Sequence, residues 1–129
     1  MKRFAIAALG VLALSACATA STLPDPDFDA SANSFTGWVR VSGGEFQLFK
    51  EQRDLRESAA PLRCVSGALP RNAQEAAGDL NGTQVTFTGR AVAWSERDGV
   101  QTMTHEGARI QNLCRNDYVI KAQSVRVLR

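Results

Sequence analysis

The sequence predicts a mainly β domain, a small closed or partly open β-barrel with one short helix. Short segments in which apolar and polar residues alternate, as on a half-buried strand, recur along the chain. Turn signals such as Ser42-Gly43-Gly44 and Asn81-Gly82 separate these segments. The one helical segment is too short to cover a sheet, which argues against a layered α/β fold.

Two alternating segments open the predicted barrel. Gly37 to Val41 and Glu45 to Phe49 are expected to form a hairpin around the glycine turn. The charged stretch from Lys50 to Ala60 predicts a loop or a solvated helical turn. Leu62 to Ser66 predicts the third strand.

The single predicted helix covers Pro70 to Asp79. Asn72 is its candidate N-cap, because Glu75 three residues later completes the pattern of a capping box. Asn81-Gly82 then predicts a tight turn into the second half of the domain.

The two longest predicted strands follow the helix. Gln84 to Trp94 alternates most clearly, and Gly89 within it predicts a bulge. Tyr118 to Leu128 changes the parity of its apolar residues, which predicts another bulge at Gln123-Ser124. Between these two strands, Val100 to Glu106 and Ala108 to Arg115 predict two more.

This order of elements resembles the oligonucleotide/oligosaccharide-binding (OB) barrel. The likeness covers Thr36 to Leu128 and includes glycine in the first strand and in the strand after the helix, where such barrels bend. The resemblance implies a small barrel, closed or partly open. The same series of short strands also fits a β-sandwich or a lipocalin-like meander.

Residues 1–16 have the composition of a signal peptide. Lys2 and Arg3 form a positive start, and an apolar stretch of 11 residues runs from Phe4 to Leu14. That stretch is too short for a transmembrane helix. The two cations also account for the whole formal charge of +2, so the chain after residue 16 has no net charge.

Leu14-Ser15-Ala16-Cys17 resembles the lipobox of bacterial lipoprotein precursors. The resemblance implies cleavage before Cys17 and attachment of acyl chains, palmitate among them, which anchor the protein to a membrane. In that family an Asp after the cysteine tends to retain the protein in the inner membrane. Because residue 18 is Ala, we expect the outer membrane, facing the periplasm. Cleavage after Ala18 or Ala20 by an ordinary signal peptidase, with free secretion, is the alternative.

Three parts of the chain follow from this interpretation: a signal peptide over residues 1–16, the lipidated Cys17 with a flexible tether over residues 17–35, and the β-barrel domain over residues 36–129. The stretch from Ala18 to Asn33 is expected to be a linker, since Pro24 and Pro26 disfavour a helix.

Cys64 and Cys114 remain when Cys17 is assigned to lipidation. An even number of cysteines in an oxidising compartment predicts a disulfide, and strand parity allows both side chains to point inward. A reactive redox pair is the weaker reading, because the two cysteines do not form a Cys-x-x-Cys motif.

Little in the sequence points to catalysis. His105 is the only histidine, so we expect no metal site and no cofactor, and no nucleophile motif is recognisable. Nucleic acid is not expected as a partner, given the compartment and the lack of net charge.

Two Trp–Arg pairs are the candidate ligand-binding residues. Trp38 shares a strand face with Arg40, and Trp94 shares one with Arg90. Together they are a candidate stacking surface for a sugar, a peptide or an aromatic ligand. The alternative is that Trp94 turns inward and caps the barrel.

We therefore expect an outer-membrane lipoprotein whose barrel is a non-enzymatic module that binds an envelope protein, a glycan or an assembly partner. An envelope hydrolase or lyase with an unmarked pair of acidic residues is the alternative. A clustered pair of perturbed carboxylates in a cleft would favour the enzyme.

Overall fold

The computed structural model describes residues 28–56 and 63–128, and it contains a closed five-stranded barrel. The barrel strands are β1 (Ser34–Ser42), β2 (Glu45–Phe49), β3 (Cys64–Ala68), β4 (Gln84–Ala93) and β7 (Tyr118–Val127). A helix, α1 (Arg71–Ala77), connects β3 to β4, and a separate hairpin of β5 (Met103–His105) and β6 (Ala108–Ile110) lies between β4 and β7. Gln52–Arg56 and Trp94–Glu96 are 3-10 helical turns.

The strand order around the barrel is β1-β2-β3-β7-β4. The pair β3–β7 is parallel and the other four pairs are antiparallel. Together with the helix between β3 and β4, this is the arrangement of a small OB-like barrel. The predicted fold class is confirmed.

The core lies inside the barrel, where Phe46 and Phe87 stack with ring centroids 3.8 Å apart. Ala73 and Ala77 of α1 pack against this core, and Gln74 of the helix donates to the carbonyl of Gly44 in the β1–β2 turn. The helix therefore closes the end of the barrel that contains this turn. The inward side chains of the strands are Phe35, Val39, Phe46, Leu48, Val65, Val85, Phe87, Ile120 and Ala122.

Glycine is required where β3 meets β7. A Cβ at Gly67 would collide with the carbonyl oxygen of Ile120 and with the ring of Phe46. The missing side chain lets these two strands approach closely enough to close the barrel.

The two predicted bulges are one irregularity seen from its two strands. Thr88 pairs with Ser124, but Gly89 pairs with Ala122, so Gln123 has no partner across the ladder. An extra residue on one strand is a bulge, and it explains the change of apolar parity along β7.

The helix differs from its prediction. It begins after Pro70, the N-cap residue, and no side chain caps it. Asn72 lies inside the first turn, so the predicted capping box with Glu75 is wrong. The carbonyl oxygen of Pro70 accepts hydrogen bonds from the N–H groups of Ala73 at 2.9 Å and Gln74 at 3.0 Å, so the first turn starts at this residue. The third strand also shifts, and it continues through Gly67 to Ala68.

The predicted strands between β4 and β7 are shorter than expected. Residues 100–102 are not in a strand, and β6 ends at Ile110 rather than at Arg115. Asn112 and Arg115 have positive φ angles of 58° and 54°, which interrupt extended backbone. The chain turns at Glu106 and Gly107, between the two predicted strands.

Part of the predicted linker packs on the barrel. Phe28 stacks on Phe35 with centroids 5.4 Å apart and lies near Tyr118. These contacts are at the barrel end opposite α1. Predictions for residues 1–16, for Cys17 and for the linker up to Asp27 fall outside the described residues. Within the described ranges, no helix is long and apolar enough to cross a membrane.

Candidate functional site: a covered barrel face and the cleft beside it

The outer face of β2 and β3 is covered by the chain itself. A half-exposed strand alternates buried and exposed residues, yet all five residues of β2 and all five of β3 are buried. The cover consists of β5, β6 and the loop after them, residues 103–116, and we call it the flap. In OB barrels the face of strands 2 and 3 is the usual ligand surface, so here that surface is occupied from within the molecule.

Glu45 holds the loop of the flap. Its side chain is 2% exposed. Oε1 accepts hydrogen bonds from the backbone N–H groups of Gln111 (2.6 Å) and Asn112 (3.1 Å), and Oε2 accepts one from Leu113 (3.0 Å). Gln47 Nε2 also donates to Oε2 at 3.0 Å. Four donors therefore satisfy this buried carboxylate, as burial of a charge requires.

The positive φ of Asn112 explains why three successive N–H groups converge on one carboxylate. A residue in the left-handed region of backbone conformation turns the N–H groups of neighbouring residues toward a common point, and these N–H groups form a concave site for an anion. The side chain of Asn112 supports the loop by exchanging two hydrogen bonds with the backbone of Asn116.

A disulfide joins the flap to β3. The Sγ atoms of Cys64 and Cys114 are 2.05 Å apart, and both residues are buried. Next to it, the backbone N–H of Cys114 donates to Ser66 Oγ at 3.0 Å. The disulfide predicted from the number of cysteines is confirmed.

Apolar side chains fill the space beneath the hairpin. Met103 and Ile110 pack with Ala68 and Val119 in a second hydrophobic cluster. His105 is buried too, and its Nε2 lies 2.7 Å from the carbonyl oxygen of Ala122. Because a carbonyl oxygen only accepts, Nε2 carries the proton. This histidine therefore fastens β5 to β7.

An open cleft of about 570 Å³ lies between the flap loop and the segment after β4. Its volume is in the range of small-ligand sites. The side chains of Gln101, Gln111, Arg115 and Asp117 form no hydrogen bond to a described residue, and they leave donors and acceptors available. The lining residues are Trp94, Gln101, Thr102, Gln111, Asn112, Leu113, Arg115, Asn116 and Asp117.

Trp94 stands in this cleft but is partly used by the fold. Its ring packs against the cluster beneath the flap, and the guanidinium of Arg97 lies over it at 5.4 Å from the centroid. Its backbone N–H donates to the carbonyl of Asp117 at 2.8 Å. Trp94 therefore packs beneath the flap, on the outside of the barrel, and borders the cleft.

Trp38 lies elsewhere. It packs against the cluster that contains Phe49 and the disulfide. Arg40 lies 4.9 Å from the centroid of the Phe49 ring and donates to the carbonyl of Leu55 at 3.1 Å. Both side chains of this Trp–Arg pair lie on β1 and pack against Phe49 of β2, so they stabilise the contact between these two strands.

The two predicted Trp–Arg pairs are not brought together. Trp38 is in register with Gln84 at the start of β4, whereas Trp94 follows its last residue. Arg90 projects from the outer side of β4, opposite Lys121. The four side chains therefore occupy three separate places.

Two exposed carboxyl groups have shifted pKa values. Hydrogen bonds from the side chain and the backbone of Ser31 lower the pKa of Asp29. Hydrogen bonds from Thr104, the backbone one first, lower the pKa of Asp98. A general acid needs a raised pKa, and these two groups lie in different loops. They do not support the alternative of an acidic catalytic pair.

No group of three or more potential metal ligands occurs within residues 28–56 and 63–128. Comparison with family models, with curated proteins and with solved structures found no match to this chain. The class of protein is thus given by the fold and the site: an OB-like barrel whose β2–β3 face is covered by a disulfide-linked flap.

Sequence reasoning missed Glu45, because a polar residue in an alternating strand indicates an exposed position. A weaker signal is present in β3. Its outward residues Cys64, Ser66 and Ala68 are all small, which suits a segment that must pack closely on top of them.

Proposed function

We propose that this chain is a lipoprotein of the bacterial cell envelope, lipidated on Cys17 and held at the outer membrane facing the periplasm. Its OB-like barrel is a non-enzymatic binding or assembly module. The observation that carries the proposal is the pairing of Cys64 with Cys114. It leaves Cys17, directly after Leu14-Ser15-Ala16, as the cysteine outside the disulfide. A disulfide also suits an oxidising compartment.

A binding role is supported by the shape of the domain. The flap removes the usual OB ligand face from solvent, while the cleft beside it stays open. Side chains of both charges and two side-chain amides border that cleft without hydrogen bonds to described residues. We therefore assign the binding of an envelope component to the cleft.

Metabolic labelling with a palmitate analogue tests the anchor. The wild-type protein is expected in the membrane fraction with label, and a Cys17→Ser variant is expected without label. A matched Cys64→Ser/Cys114→Ser variant should keep the label, since those cysteines are assigned to the disulfide. Wild-type protein that is soluble and unlabelled would contradict the proposal.

Photo-crosslinking in intact cells tests the cleft. A photoreactive residue at Gln111 is expected to give a defined adduct, and the same residue at the exposed Glu75 of α1 serves as the control. Identical adducts at both positions, or none at Gln111, would rule out the cleft as the binding site.

A further inference from the structure

The outer face of β1, β4 and β7 carries positive charge and no negative charge. These strands have 9, 10 and 10 residues, and none of them is Asp or Glu. Ile120 and Ala122 point into the core, so Lys121 between them points outward. The flap covers this outer side around Val92 and Val119. We call the following outward residues outside the flap the cationic face: Ser34, Thr36, Thr86, Thr88, Arg90, Lys121, Ser124 and Arg126.

The pairing of the strands arranges these side chains in rows. Thr86 is opposite Arg126 and Thr88 is opposite Ser124. The hydroxyls of Thr36 and Thr86 are 2.8 Å apart, which shows that they share this side of the sheet. Phosphate oxygens accept hydrogen bonds from hydroxyl groups and from guanidinium groups, and this face presents both side by side.

Arg90 and Lys121 are directly opposite each other across the ladder. Like charges in this position destabilise a sheet, and neither side chain forms an ion pair with a described residue. Two acidic residues border the face on the side of the flap: Asp98 interacts electrostatically with Lys121, and Glu106 accepts a hydrogen bond from Gln123 at 3.2 Å. A bound anion over Arg90 and Lys121 would offset their repulsion.

The start of the domain places this face close to the predicted anchor. Ser34, the first residue of β1, is also a corner of the cationic face. Phe28 packs on the barrel end, so ten residues separate it from Cys17. As a random coil they would span about 17 Å, which is short enough to keep the barrel beside the bilayer.

We propose that the cationic face docks on the phosphate-bearing headgroups of anionic phospholipids in the membrane that holds Cys17. The proposal rests on the lipid anchor proposed above. Cations near such a surface each contribute to the attraction. In the barrel order, β4 lies across from the pair β2–β3. Docking through β4 and its neighbours therefore turns the flap away from the membrane and toward the periplasm.

Vesicle binding tests the docking. Residues 17–129 with Cys17→Ser, which lack the predicted signal peptide and the site for the acyl chains, are mixed with phosphatidylcholine vesicles with and without phosphatidylglycerol. Binding is expected only when phosphatidylglycerol is present, and it should fall at high salt because salt screens exposed charges. The substitutions Arg90→Gln, Lys121→Gln and Arg126→Gln are made singly and together as a first triple variant. Each cation removed is expected to weaken binding about fivefold.

The matched control is the triple variant Arg56→Gln, Arg71→Gln, Arg109→Gln, which removes three exposed cations outside this face. It should bind nearly as well as the parent. Equal losses in both triple variants, or equal binding to both kinds of vesicle, would overturn the docking. A concentration-dependent dimer that the first triple variant abolishes would also overturn it and assign the face to a second copy.

The two proposals fail separately. The vesicle assay uses no acyl chain, so it decides the cationic face whether or not native Cys17 is lipidated. If the native protein carries no acyl chain on Cys17, only the proposal of a lipid anchor is overturned.

Discussion

The carboxylate of Glu45 connects two parts of the chain that are 66 residues apart. A single residue of the short strand β2 thereby fixes the three backbone amides, those of residues 111–113, that form a wall of the cleft. At the scale of single residues, this buried acid is bound by four neutral donors, three backbone N–H groups of the flap and the side chain of Gln47.

Replacing Glu45 by Gln is expected to destabilise the protein by about 2 kcal/mol. The amide nitrogen would face backbone N–H groups that are donors themselves, so at least one buried donor would lose its partner. Urea denaturation measures the difference in the free energy of unfolding. Glu75→Gln on the exposed side of α1 should change it by less than about 0.5 kcal/mol, and equal effects of the two variants would contradict this role of Glu45.

Asp98 should contribute a pH-dependent restraint on the start of β5. Its carboxylate accepts the N–H of Thr104 at 2.9 Å, and this bond lowers its pKa below the ordinary 3.8. Because the folded-state pKa is the lower one, the contribution is present above the ordinary value and disappears as the pH falls through the folded-state pKa.

NMR measures this directly. The amide resonance of Thr104 should titrate with a midpoint below 3.8, and the titration should vanish in Asp98→Asn. A midpoint above that value would show that the carboxylate does not accept this hydrogen bond in solution.

At the scale of elements, the flap is the feature that distinguishes this barrel. Its hairpin packs through Met103 and Ile110, whereas its loop is held by Glu45 and the disulfide. The loop has few apolar contacts of its own, so removing the disulfide should loosen it before the barrel opens.

The variant Cys64→Ala/Cys114→Ala is expected to lose up to about 4 kcal/mol, the chain-entropy value for a loop of this length. Hydrogen exchange should then accelerate first at the amides of Gln111, Asn112 and Leu113, while those of β4 stay protected. Cys17→Ser is the control and should leave exchange unchanged. Exchange that rises equally in the flap loop and in β4 would show that the flap does not open separately.

The strands illustrate what local pattern can predict. The limits of β2 and the turn before it were predicted correctly because alternation and Gly43-Gly44 are local signals. The bulge at Gln123 was predicted from the parity of β7 alone. The predicted strands around β5 and β6 are too long. The alternating pattern continues into a loop, and the course of that loop is decided by its contact with Glu45.

At the scale of the whole molecule, the barrel presents two different sides. The flap and its cleft cover β2, β3 and the part of β7 around Val119, and the cationic face lies on β1 and on the remaining outer side of β4 and β7. The sequence could predict the barrel because the order of strands and helix limits the possible folds. It could predict the disulfide because the number of cysteines limits the possible pairings. It could not predict which face is covered, because that depends on contacts between residues far apart in the chain.

Mass spectrometry of the non-reduced protein from the membrane fraction shows whether Cys17 carries the lipid while Cys64 and Cys114 form the disulfide. The expected products are an N-terminal peptide that begins with acylated Cys17 and a peptide pair linked through Cys64 and Cys114. A chain that begins after Ala18 or Ala20, or that links Cys17 to either of the other cysteines, would contradict it.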